Sequence, residues 1–176
     1  MLRIGTGAGF SADRLDPALN LLRHGALDYI VFECIGERTL AFGHRDRMRD
    51  ADMGYNALLE RRFRSILPFC VEHQTKVITN MGVANPYAAA VRTATIAREL
   101  GLRPLKIAWV SGDDVSALIH ENTRLPEMGC TVGQLKQPFI GANAYIGIDA
   151  ICRALCIATR AEMREHGVAC GIPQLG

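Results

Sequence analysis

The chain has 176 residues, 49% of them hydrophobic and 22% charged, with a formal net charge of +2. That length supports one domain with a real core and is marginal for two. Interspersed charges of both signs give no case for nucleic acid, and no apolar run approaches the roughly 20 residues of a membrane span.

The first feature is Arg3-Ile4-Gly5-Thr6-Gly7-Ala8-Gly9-Phe10-Ser11, a short strand running into a glycine-rich turn. A turn so early, with Asp13 and Asp16 soon after, does not fit a signal peptide. Asp16-Pro17 carries a cap-plus-proline signature, Ala18, Leu21 and Leu22 share a helical face, and Gly25 suits the stop. Tyr29-Ile30-Val31-Phe32 is a continuous apolar run of the kind buried in parallel sheets, and it ends at Glu33-Cys34. A helix is expected over Glu37 to Arg49, where Arg45, Arg47 and Arg49 alternate with Asp46 and Asp50 as a solvated face.

From Asn56 an amphipathic helix is expected, with Leu59, Phe63, Ile66, Leu67 and Cys70 on one stripe and Arg61, Arg62 and Arg64 off it. Pro68 inside the pattern predicts a kink or an early stop. Lys76 to Thr79 is the third expected strand, and Asn85-Pro86 opens a helix that stops at Gly101. Leu105 to Val110 is expected as a fourth strand and Val115 to His120 as a short helix. Residues 122–141 show no clean period and read as an irregular connection, followed by a helix from about Asp149 to Arg160.

Strands alternating with amphipathic helices predict an α/β fold, with a mostly parallel sheet and helices on both faces. Ligands of such sheets bind outside the carboxyl ends of the strands. That rule gathers Ser11 and Asp13, Glu33 and Cys34, Asn80 and Asn85, and Asp113 and Asp114 at one edge.

Gly5, Gly7 and Gly9 are not the dinucleotide fingerprint, because Phe10 stands where its third glycine belongs. No dinucleotide is therefore expected. The turn is either a backbone cradle for a phosphate or carboxylate, or simply a tight strand-to-helix connection. Glu33 is either a general base or a structural group that accepts hydrogen bonds from a neighbouring loop or pairs with Arg38. Cys34 reads as a buried thiol rather than a nucleophile. Asn85 suits an N-cap, whereas Asn80 is freer to meet a substrate carbonyl. Asp113 and Asp114 are candidate acids or bases, and with Glu33 they are hard oxygen ligands of the kind Mg²⁺ takes. The five histidines have no metal-ligand spacing, and Cys152 and Cys156 read as core. Six scattered cysteines without a CxxC pair read as reduced thiols in the cytoplasm.

The succession Ile4-Gly5-Thr6-Gly7-Ala8-Gly9-Phe10-Ser11, Leu27-Asp28-Tyr29, Phe32-Glu33-Cys34, Glu37-Arg38-Thr39 and Gly54-Tyr55 resembles the opening of the acyclic terpene utilisation family. Thr79-Asn80-Met81-Gly82, Ala84-Asn85-Pro86, Gly112-Asp113-Asp114 and Ala142-Asn143-Ala144-Tyr145 continue it. The resemblance covers about residues 2–152, which implies an N-terminal α/β domain over 1–152 and a divergent tail over 153–176. Family members look longer, so it implies an N-terminal part whose sheet is incomplete. It also implies an acyl-CoA or carboxylate substrate and proton abstraction with hydration or elimination. In that chemistry Glu33 or an aspartate is the base, and Asn80 with backbone N–H groups holds the oxyanion. Gly5, Gly7, Gly9, Ser11, Arg38, Asn85 and Asn143 are then the substrate-binding candidates. The partners expected are a small-molecule substrate and either a second copy or a partner subunit. The alternative is a non-catalytic nucleotide- or CoA-binding module or an inactive fragment. A redox thiol protein is a third reading, and it needs Cys34 exposed beside positive charge.

Overall fold

The computed structural model describes residues 1–157, which fall into two compact units, the first Met1–Trp109 and the second beginning at Val110. The first unit runs β1 (Ile4–Ala8), α1 (Asp16–His24), β2 (Tyr29–Phe32), α2 (Glu37–Arg49), α3 (Leu59–Glu72), β3 (Lys76–Thr79) and α4 (Pro86–Glu99). The strands form one parallel sheet in the order β1-β2-β3, so the fold is α/β as the sequence predicts. Both crossovers step in the same direction. Right-handed connections then place α1 and α3 on one face of the sheet. Accordingly α1 packs on β1 and α3, and α3 packs on α4.

The alternating apolar positions decide what is buried. Ile30 and Phe32 of β2 are fully buried, and so are Leu22 of α1, Leu59 and Ile66 of α3, and Ile96 of α4. The ladder between β1 and β2 slips at Gly7: Thr6 pairs with Val31, and Ala8, two residues on, pairs with the adjacent Phe32. The bulged residue is a glycine because the Phe32 ring lies against it. A Cβ there would sit 2.5 Å from Cζ of that ring. A bulge bends its strand and redirects the chain beyond it. The loop carrying Gly9 to Asp13 leaves the sheet just after this one.

Several expectations are corrected. Leu15, not Asp16, caps α1, and Asp16 pairs instead with Arg14. Gly25 keeps right-handed backbone and Ala26 takes the positive φ of 46°. Gly25 is still required, since a Cβ would meet the Leu21 carbonyl oxygen at 2.5 Å. Helix α3 begins at Leu59 rather than Asn56 and runs through Pro68 without stopping. A helix-interior proline costs about 3 kcal/mol. Burying Leu59, Phe63, Ile66 and Leu67 at about 1.5–3 kcal/mol each outweighs that. Residues 105–110 form no strand. Trp109 instead meets the Tyr87 ring of α4 edge-on, with centroids 5.2 Å apart.

In the second unit, the short helix expected at 115–120 is one 3₁₀ turn, Ser116–Leu118. The stretch expected to be irregular contains an antiparallel hairpin of β4 (Arg124–Leu125) and β5 (Cys130–Thr131). Gly129, at a φ of 65°, takes the left-handed position in its turn. Helix α5 spans Asp149–Ile157, and its expected continuation to Arg160 lies outside the described residues. Among the described residues no helix is long and apolar enough to cross a membrane.

Burial separates the thiols of the described residues. Cys34 and Cys70 are buried, Cys130 is half-buried and Cys152 is exposed. Burial pushes the Cys70 thiol up to about 12. The unfolded chain therefore loses this proton first as pH rises, and Cys70 contributes stability at neutral pH that is lost between about 9 and 12. Native alkylation with iodoacetamide at pH 8 is expected to label Cys152 before Cys130, and Cys70 only on unfolding, read by peptide mass spectrometry.

Candidate functional site

The loops at the carboxyl ends of β1, β2 and β3 are tied into one polar network within the first unit. After β2, Glu33 Oε1 accepts from Asn80 Nδ2 at 2.8 Å and from the Ile35 N–H at 2.9 Å. The other end of the same amide accepts from the Cys34 N–H, at 2.7 Å. Asn80 comes directly after β3, so its side chain joins the two loops. Thr79 reinforces the join, because its hydroxyl donates to the Phe32 carbonyl and accepts from the Met81 N–H. Glu33 is exposed, and its Oε2 has no hydrogen-bond donor among the described residues.

The turn after β1 is organised differently from an open cradle. The N–H groups of Gly9 and Phe10 both donate to Asp13 Oδ2, at 2.6 and 3.1 Å. The anion at this turn is thus the chain's own carboxylate. Gly5 and Gly7 lie inside β1, where a Cβ would collide with Leu27 and Phe32. Their lack of a side chain serves packing. Asp13→Ala is expected to cost about 1.5–3 kcal/mol, the range for hydrogen bonds to a charged group. Sodium acetate should restore part of the urea midpoint by occupying the vacated amides, and should leave the wild type unmoved.

Ser11 accepts from Asn56 Nδ2 at 2.9 Å. Asn56 is buried; its Oδ1 accepts from the Leu58 N–H, and its own N–H donates to the Met81 carbonyl. It therefore braces the loops after β1 and β3 against the start of α3. Arg62, one turn further on, is 2% exposed. Its Nη1 donates to Cys34 Sγ at 2.9 Å and lies 3.7 Å from Met81 Sδ, and its Nη2 donates to the Asp13 carbonyl at 3.0 Å. Desolvation raises the Cys34 thiol above its ordinary value, against the opposing effect of the Arg62 charge. Cys34 has positive charge beside it but no exposure, which removes the redox-thiol reading.

Arg62 does not lie off the apolar stripe, as its charge suggests in the sequence. Its signal was present: Arg62 comes three residues after Leu59 and four before Ile66, so helical spacing alone places it on the buried face. In the sequence Asn56 reads only as the start of a helix, because the partners it braces lie 25 and 45 residues away.

The remaining candidates take other places. Asn85 caps α4 by accepting from the Ala88 N–H, and it donates to the carbonyls of Ala51 and Met53, so its amide is used at both ends. Arg38 makes no ion pair with Glu33 and lies over the Phe42 ring of its own helix. Asp113, Asp114 and Asn143 form a cluster of their own in the second unit. There Asn143 Nδ2 donates to Asp113 Oδ2 at 2.8 Å, and Asp114 Oδ1 accepts from the Ser116 N–H at 3.0 Å. Among the described residues no three His, Cys, Asp or Glu side chains are grouped to hold a metal ion.

These features define an α/β protein with a polar site built at the carboxyl edge of a parallel sheet. A family model described as acyclic terpene utilisation family protein AtuA matches residues 2–159. The chain belongs to that family. No curated protein and no solved structure matches the chain.

Proposed function

We propose that this chain provides the base-bearing part of an enzyme that abstracts a proton next to the carbonyl of an acyl-CoA or other carboxylate-derived substrate, leading to hydration or elimination. The observation that carries the reading is the asymmetric hold on Glu33. Two donors fix Oε1 and leave Oε2 without one, which is how a general base is oriented while a lone pair stays available. Asn80 supports it from the side, since an amide nitrogen carries two hydrogens and only one is given to Glu33. The second is the oxyanion donor in this reading.

A passive nucleotide- or CoA-binding module would use the glycine turn and the start of α4. Asp13 and Asn85 already occupy those positions, which favours the enzyme reading. The free thiols of the described residues fit a cytoplasmic setting. A melting-temperature screen against acyl-CoAs, small dicarboxylates and nucleotides identifies the ligand class, since a ligand of the folded state raises the midpoint. Exchange of the ligand's α-hydrogen in D₂O then tests the chemistry. Loss of exchange in Glu33→Gln with binding retained is the expected result. Exchange left intact would remove Glu33 from the mechanism.

A further inference from the structure

We infer that Arg62 is the positioning residue of this site, holding the loops after all three strands in register through one planar group. The inference rests on the proposed role of Glu33 for its chemistry, but on independent geometry for its substance.

A guanidinium buried to 2% exposure needs compensation, because desolvating a charge costs several kcal/mol. The usual compensation is a carboxylate, and among the described residues Arg62 makes no ion pair with one. The two acidic side chains on the loops it touches bond to other groups. Asp13 holds the Gly9 and Phe10 amides with Oδ2, and Glu33 holds Asn80 and Ile35 with Oε1. Arg62 instead meets one main-chain oxygen and two sulfurs. The sulfurs are weak acceptors, and the carbonyl oxygen, though a good one, carries no full charge.

Stability alone does not account for such a residue. Its neighbours on the buried stripe are Leu59, Phe63 and Ile66, and an apolar side chain would avoid the desolvation cost. Its contacts have a different pattern. Asp13 carries the turn after β1, Cys34 is adjacent to Glu33, and Met81 is adjacent to Asn80. The two residues that make up the proposed base and oxyanion donor are therefore each one residue from an Arg62 contact. The fork matters here. Nη1 serves the loops after β2 and β3 while Nη2 serves the loop after β1, and a lysine ammonium has no such fixed separation of donors.

The test is residue-resolved amide exchange on the full chain, comparing wild type with Arg62→Met and Arg62→Lys. Methionine fills the space and removes the buried charge; lysine keeps the charge and loses the fork. In Arg62→Met the amides of Gly9, Phe10, Cys34 and Ile35 should exchange at least about tenfold faster, with Ile30 and Val31 of β2 unchanged. Lysine should restore less than half of that protection. Unchanged loop amides, a uniform loss that includes β2, full rescue by lysine, or failure of both variants to fold would each overturn the inference. None of these readouts involves turnover, so Glu33 can fail as a base while Arg62 stands, and the reverse.

Discussion

Phe32→Ala is expected to lower stability by about 3–5 kcal/mol, the range for deleting a fully buried aromatic ring. Against a typical total of about 5–15 kcal/mol, that is enough to leave a substantial unfolded fraction. The ring is 1% exposed at the end of β2, and it fills the space that Gly7 leaves open on the neighbouring strand. The reciprocal substitution, Gly7→Ala, should cost about 1–3 kcal/mol by overpacking, because three ring atoms lie 2.5–2.7 Å from the new Cβ. The two effects share one contact and cannot be additive. Gly7→Ala in a Phe32→Leu background should therefore cost less than in the wild type. Urea denaturation of the four proteins in this cycle measures the coupling, and strict additivity would show that Gly7 is not a packing glycine.

Glu33→Gln should lower the rate of α-hydrogen exchange by about 10²–10⁴-fold, the range for a positioned general base. Glutamine is a sharp probe because of what holds Glu33. Its carbonyl oxygen can take the place of Oε1 and accept from Asn80 and Ile35. The position of Oε2 then carries an amide nitrogen with no basic lone pair. Ligand affinity and melting temperature should change little. Glu33→Asp makes the complementary test: it keeps basicity but withdraws the carboxylate by one methylene, and a misplacement of about 1 Å costs up to about 10²-fold. A large affinity loss in Glu33→Gln without a rate effect would make Glu33 a binding residue instead.

The sequence by itself determined the periodic elements of the first unit. Tyr29 to Phe32, Glu37 to Arg49 and Lys76 to Thr79 form with the bounds their patterns predict, because apolar spacing and local capping act within a few residues. It also determined that the loops after β1, β2 and β3 share an edge, but not where Asp113 and Asp114 lie, because the fourth strand expected before them does not form. Leu105 to Val110 has a strand-like pattern too, but it forms no ladder beyond a single bridge at Trp109, and apolar content by itself does not decide whether a ladder forms.

Side-chain partnerships were decided only in three dimensions. Glycines at 5, 7 and 9 have the same spacing in a ligand cradle as in a packed strand, and the Phe32 ring and the Asp13 carboxylate decide between the two. Glu33 is held by one oxygen because Asn80, 47 residues away in the sequence, donates to it. Arg62 was placed on the buried face by helical spacing, yet charge argued for solvent. The tertiary structure overruled the charge because loops from three strands offer acceptors at a single point, which no local property of α3 encodes.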